Sequence, residues 1–70
     1  MSVVEAHITG TVWKIDVKPG DTVEEGDTVV ILESMKMEMP VESPAAGTVR
    51  AILCKEGASV EEGAPVVELD

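Results

Sequence analysis

The hydrophobic residues of the chain occur in short runs of Val, Ile and Leu separated by turn-forming residues. The runs at 11–17, 28–33, 48–54 and 65–69 each begin within two residues of a glycine. Short β-branched runs with this punctuation are typical of strands joined by turns. No segment shows the 3.6-residue period of a packed helix. The pattern therefore predicts an all-β protein.

The chain also contains an internal sequence repeat. With an offset of 37 residues, Gly10-Thr11-Val12 matches Gly47-Thr48-Val49, and Val23-Glu24-Glu25-Gly26 matches Val60-Glu61-Glu62-Gly63. Between the two halves, about 10–33 and 47–70, thirteen of twenty-four aligned pairs are identical, which excludes coincidence. Neither half is large enough to bury an apolar face alone, so the two halves must pack against each other.

These observations predict a single domain over 1–70. The expected architecture is a flattened barrel-sandwich of two antiparallel sheets, with seven or eight short strands and a pseudo-two-fold axis between the halves. Val12 and Ile15 are apolar in both copies although they are three residues apart, which predicts a bulge or a strand that is buried on both sides. Trp13 aligns with Arg50, so we expect its side chain to be at least partly exposed.

The segment between the halves, 34–46, has no counterpart in the predicted repeat. A strand that ends near Glu33 and another at about Glu38–Glu42 must be joined by a turn, which places Lys36 at the tip of a hairpin. An amine there, when neutral, is a nucleophile towards an activated acyl group, and its four-carbon stem is a flexible arm. Met35 and Met37 flank it, either as packing under the hairpin or as an adaptable patch that an enzyme recognises.

Composition narrows the function. Five basic and fourteen acidic residues give a net charge of −9, which argues against binding to nucleic acid or to an anionic membrane. His7 is the only histidine, so no metal-ligand cluster is expected, and neither the residue pattern nor the chain length indicates a catalytic site. Cys54 is the only cysteine, and no signal-peptide pattern opens the chain, which together predict a cytoplasmic location.

The hairpin sequence Glu33-Ser34-Met35-Lys36-Met37-Glu38 resembles the attachment motif of the biotinyl domains of biotin-dependent carboxylases. Further segments fall where that family carries them, so the resemblance covers essentially the whole chain. These segments are Gly10-Thr11-Val12, Val17-Lys18-Pro19-Gly20-Asp21, Glu25-Gly26-Asp27 and Ala45-Ala46-Gly47-Thr48-Val49.

The resemblance implies a biotin carboxyl carrier. Lys36 would be the biotinylated lysine, Met35 and Met37 would complete the attachment motif, and a biotin protein ligase would recognise Glu33, Ser34 and Glu38. The ligase would attach biotin through an activated adenylate. A biotin carboxylase would then load a carboxyl group, and the carrier would take the carboxybiotin to a carboxyltransferase, as in an acyl-CoA carboxylase. The domain itself would be non-catalytic.

Two alternatives remain at the level of sequence. The first is a lipoyl carrier domain of a 2-oxo acid dehydrogenase or glycine-cleavage system, which would share the fold and the hairpin lysine. Those families usually have a small residue beside the lysine, as in Asp-Lys-Ala, so Met35 and Met37 favour biotin. The second is an unmodified binding module, for which the Met-Lys-Met sequence would have no particular use.

Overall fold

The computed structural model describes residues 2–70 and consists of strands joined by turns. Its eight strands are β1 Ser2–Glu5, β2 Gly10–Ile15, β3 Thr22–Val23, β4 Thr28–Ser34, β5 Met37–Glu42, β6 Gly47–Ile52, β7 Ser59–Val60 and β8 Pro65–Leu69. The predicted strands over 11–17 and 48–54 each end two residues earlier, at Ile15 and Ile52. The strand β1 was not anticipated by the runs of hydrophobic residues, because only Val3 and Val4 mark it.

The strands form two four-stranded antiparallel sheets. Sheet 1 has the order β1-β8-β6-β3, and sheet 2 has the order β5-β4-β2-β7. The predicted fold class, a sandwich of two antiparallel sheets, is confirmed. Each sheet contains two strands from before the turn between β4 and β5 and two strands from after it. Neither sheet can therefore form from one half of the chain.

The space between the sheets is filled almost entirely by valine and leucine. Valine suits this thin core because its branched side chain packs well on a pleated surface. Ser43 is the buried polar side chain of residues 2–70, and its hydroxyl donates a hydrogen bond to the Ala45 carbonyl oxygen at 2.6 Å. The buried apolar residues are Val4, Ala6, Val12, Val23, Val29, Val30, Leu32, Val41, Val49, Val66, Val67 and Leu69.

The internal repeat is visible in the backbone hydrogen bonds. The Gly20 amide donates to the Val49 carbonyl at 2.8 Å, and 37 residues along, the Gly57 amide donates to the Val12 carbonyl at 2.7 Å. The other turn and loop bonds pair in the same way, apart from the bond that Asp70 donates. The offset also maps β1 onto β5, so the equivalent segments are 2–33 and 39–70, and they leave only 34–38 without a counterpart.

A bulge occurs at the same position of each half. The pairing of β2 with β4 shifts between Val12 and Lys14, and that of β6 with β8 shifts between Val49 and Ala51. The extra residue lets both Val12 and Ile15 face the core, as the sequence predicted. It also turns Trp13 outwards, where its side chain is 48% exposed.

Candidate functional site

The candidate site is the hairpin that joins β4 to β5. Ser34 pairs with Met37, so only Met35 and Lys36 form the turn. Both have positive φ, 53° and 65°. Two consecutive left-handed residues in a two-residue loop define a type I′ turn, the geometry that matches the twist of the flanking strands. Lys36 therefore lies at the tip, as predicted.

This turn uses unfavourable residues for its geometry. Type I′ turns strongly prefer Asn-Gly, because the left-handed conformation costs roughly 1–2 kcal/mol for a residue with a Cβ. Here Met and Lys occupy both positions, although glycines supply the positive φ at four other turns of the chain. Residues held in strained conformations at an exposed tip point to selection for what the side chains do.

A close backbone contact holds β4 against β2 just before the turn. A Cβ at Gly10 would lie 2.7 Å from the carbonyl oxygen of Glu33, so only glycine lets β2 approach β4 at this point. The β4–β5 ladder runs from Thr28 and Glu42 to the turn. These contacts hold in place the backbone from which Lys36 extends. The four-carbon side chain of Lys36 is itself flexible.

The side chains of the tip lie in solvent. Met35 is 91% exposed and Met37 is 57% exposed, so the structure excludes the interpretation that they pack beneath the hairpin. Lys36 is exposed and takes part in none of the ion pairs of residues 2–70, which involve Lys14 and Arg50. Its amine is open to a large reactant.

Two carboxylates flank the tip. Glu33 and Glu38 are exposed and directly opposite each other in the β4–β5 ladder, one step before the Ser34–Met37 pair. All six residues singled out from the sequence, Glu33 to Glu38, thus belong to one hairpin. The contribution of Gly10 was not recognised, since the pattern Gly-Thr-Val marks a strand start and gives no sign of a contact across the sheet.

The tip projects into solvent, and its residues do not line the shallow pocket found elsewhere on the domain. A shallow pocket of about 220 Å³ lies between β1 and β5 and is lined by Glu5, His7, Pro40, Val41 and Glu42. No group of three or more His, Cys, Asp or Glu side chains in residues 2–70 is arranged to hold a metal ion. Over the same residues, no helix is long and apolar enough to cross a membrane.

Comparison with known proteins identifies the family. A sequence model of the biotin/lipoyl family, described as "Biotin-requiring enzyme", matches residues 2–69. The biotin/lipoyl attachment protein of Bacillus subtilis is 53% identical over 38 residues, which are 54% of this chain and 52% of that protein. The methylmalonyl-CoA carboxyltransferase 1.3S subunit of Propionibacterium freudenreichii is 60% identical over 35 residues, which are 50% of this chain and 28% of that subunit.

A solved structure shows the same fold. The urea carboxylase of Kluyveromyces lactis contains a region that superposes on 99% of this chain with a TM-score of 0.92 and 40% identity, and this region is 6% of that protein. The match to the Bacillus subtilis protein spans about half of its length. The whole proteins are therefore larger than the segment that they share with this chain.

Proposed function

The chain belongs to the biotin/lipoyl family of biotin-requiring enzymes, and on this premise we propose that it carries biotin covalently on Lys36. The whole chain, 1–70, would act as one carrier domain. The observation that supports Lys36 is its place at the apex of a strained two-residue turn, exposed between two exposed methionines.

The site fits an amide-linked group. Attachment requires the neutral Lys36 amine to attack the carbonyl carbon of an activated acyl group. A C–N bond forms, the activating group leaves, and the nitrogen loses a proton. One ammonium is lost, so the net charge changes from −9 to −10. The exposed tip presents the amine to an active site that another protein supplies, which a biotin protein ligase would do.

The residues around Lys36 would then serve recognition. Met35 and Met37 offer soft apolar contacts that adapt to a partner surface. Glu33 and Glu38 offer paired negative charge, and Ser34 completes the segment that the ligase reads. These five residues hold no reacting atom, so their role is to position the hairpin in the ligase.

The function that follows is that of a carrier. Bound biotin supplies the group that takes up and releases a carboxyl unit. We propose a biotin carboxylase and a carboxyltransferase as the partners, with an acyl-CoA as the acceptor. The protein residues contribute a fixed base for the arm and perform no bond-making step. This role fits the cytoplasmic location predicted from cysteine usage.

Biotin is favoured over the lipoyl alternative. The relatives named after carboxylation reactions, urea carboxylase and methylmalonyl-CoA carboxyltransferase, belong to the biotin side of the family. The methionines on both sides of Lys36 agree with that choice. An unmodified binding module would have no need for strained turn residues at the tip.

The test is the intact mass of the protein after coexpression with a biotin protein ligase, followed by mapping of the modified peptide. We expect one biotinyl group on Lys36 in the wild type and none in Lys36→Arg. Lys18→Arg is the matched control, because Lys18 is also an exposed lysine in a turn region, and it should be fully modified. A lipoyl group on Lys36 or biotin on the Lys36→Arg variant would overturn the proposal.

A further inference from the structure

The outer faces of the two sheets differ at positions that the repeat makes equivalent. On sheet 1, Arg50 lies over Glu68, with 3.5 Å between Arg50 Nε and Glu68 Oε1. A second contact of 4.0 Å joins Arg50 Nη1 to the carboxylate of Asp70. The charged side chains of this face therefore pair with one another, as expected of a surface that faces water.

On sheet 2 the same two positions are apolar. Trp13 stands where Arg50 stands in the other half, and Ile31 stands where Glu68 stands. Ile31 pairs with Lys14 on one side and with Pro40 on the other, and Trp13 is the extra residue of the bulge, next to Lys14. Lys14 is exposed, and its ammonium group lies 3.7 Å from the carboxylate of Asp16. Ile31 is partly buried, but it does not belong to the side chains that pack on the core, which agrees with an outward direction.

The fold does not require this difference. Both halves have the same bulge, the same strand pairing and equivalent turns, and the half with Arg50 and Glu68 shows that charged residues suit these positions. Pro40 and Val3 are apolar in both sheets, and Lys14 stands where Ala51 stands, so the apolar contrast rests on Trp13 and Ile31 alone. A half-exposed tryptophan beside an isoleucine is the composition of an interface anchor.

The hairpin is too small to form a whole protein interface. Ser34–Glu38 comprises five residues, whereas a standard protein interface engages roughly 20–30 residues on each side. The Lys36 side chain reaches only about 6 Å from its backbone, so an enzyme that acts on the bare amine must approach the hairpin itself. Its contact must then continue onto an adjoining face. Ile31 is about 15 Å along β4 from the tip, which is within such a footprint.

We propose that the apolar face formed by Trp13, Ile31 and Pro40 is the docking surface for the biotin protein ligase that modifies Lys36. This proposal rests on the proposed function and names the surface that binds the ligase outside the attachment motif. Glu33 and Glu38 continue the same face towards the tip. The ligase surface should therefore present an apolar pocket for Trp13 with basic residues beside it.

The experiment measures initial rates of modification by a purified biotin protein ligase, with biotin and ATP in excess, at increasing concentrations of the carrier. Trp13→Arg places on sheet 2 the residue that sheet 1 has at the equivalent position. Leu53→Arg is the matched control, since Leu53 is 47% exposed and Trp13 is 48% exposed, and Leu53 follows a strand of sheet 1. Ile31→Thr is a second variant that keeps a β-branched residue in β4.

We expect Trp13→Arg to raise the KM for the carrier by roughly tenfold or more, with kcat unchanged, as for loss of an anchor used only in docking. Ile31→Thr should raise KM less, and Leu53→Arg should leave it within about twofold. An unchanged KM in both Trp13→Arg and Ile31→Thr would overturn the docking surface. So would an equal rise in Leu53→Arg, which would show a general effect of charge. A wild type that acquires no biotin on Lys36 would overturn the proposed function as well, and the mass of the product distinguishes that failure.

Discussion

Glu33 and Glu38 lie directly opposite each other across β4 and β5, one residue pair away from the turn that holds Lys36. Like charges in facing positions of an antiparallel ladder oppose folding. The chain retains this unfavourable pair beside the residue that we propose as its attachment site. The arrangement supports our proposal that the two carboxylates contact a partner protein, since they do not stabilise the hairpin.

This relationship predicts a gain of stability when one charge is reversed. Glu38→Lys converts the repulsive pair into an attractive one, so the free energy of unfolding should rise by about 0.2–1 kcal/mol. Urea denaturation measures the change. The control is Glu42→Lys in the same strand, because Glu42 faces Thr28 and has no carboxylate opposite it in the ladder. Biotinylation of Glu38→Lys should become slower although the fold is more stable. If Glu38→Lys were less stable than Glu42→Lys, repulsion between Glu33 and Glu38 would be contradicted.

The strained turn predicts a second stabilising change. Asparagine tolerates the left-handed conformation better than methionine does, so Met35→Asn should raise the free energy of unfolding by about 0.5–1 kcal/mol. Met37→Asn is the control, because residue 37 lies in β5 and gains nothing from that tolerance. Thermal unfolding followed by circular dichroism compares the two. Equal effects at both positions would mean that the turn at Met35 holds no strain.

Gly10 and Gly47 are equivalent positions with unequal surroundings. A Cβ at Gly10 would meet the Glu33 carbonyl oxygen at 2.7 Å, whereas a Cβ at Gly47 would meet the Asp70 carbonyl oxygen at 3.2 Å. Gly10→Ala should therefore cost roughly 1–3 kcal/mol, and Gly47→Ala should cost clearly less. Denaturant titration of the two variants checks this order. Equal losses would show that the contact with Glu33 is not tighter in solution.

Cys54 provides a test that depends on pH. The thiol packs against the core, and burial raises its pKa. The folded state therefore favours the neutral thiol. Its contribution to the free energy of unfolding is present at neutral pH and is lost as the pH rises into the alkaline range. Alkylation by iodoacetamide should reach its half-maximal rate at a higher pH in the folded protein than in the chain unfolded in urea. Coincident pH profiles would show that the thiol is not protected.

The sequence predicted a large part of this structure because the repeat supplies two independent records of each element. Comparing the halves left a bulge or a strand buried on both sides as the two explanations for Val12 and Ile15, and the structure has the bulge. The hairpin position of Lys36 followed from the segment that the repeat does not duplicate. The repeat extends to β1 and β5, where Val4-Glu5 matches Val41-Glu42 at the same offset, but two identities among unlike neighbours are a weak signal.

Other features needed three-dimensional information. The positive φ of Met35 and Lys36 ran against residue preference, which would have placed Asn or Gly in such a turn. The opposition of Glu33 and Glu38 depends on register, since a shift of one residue would send one of them to the other face. The surface of Trp13, Ile31 and Pro40 spans three strands, and Trp13 is 18 residues from Ile31 in the sequence. The pairing of the strands alone brings these residues together.

The interleaving of the two halves has a consequence for the order of folding. Among the ladders of residues 2–70, only the one between β4 and β5 joins consecutive strands, and every other pairing closes a much longer loop. Short loops close at the least entropic cost, so we expect this hairpin to be formed in the rate-limiting transition state. Val41→Ala and Val4→Ala remove buried side chains at equivalent positions of β5 and β1, and we expect them to change different rates. The first should slow folding, and the second should mainly accelerate unfolding. The segment that we propose to present Lys36 to other proteins is then also the segment around which the rest of the polypeptide folds.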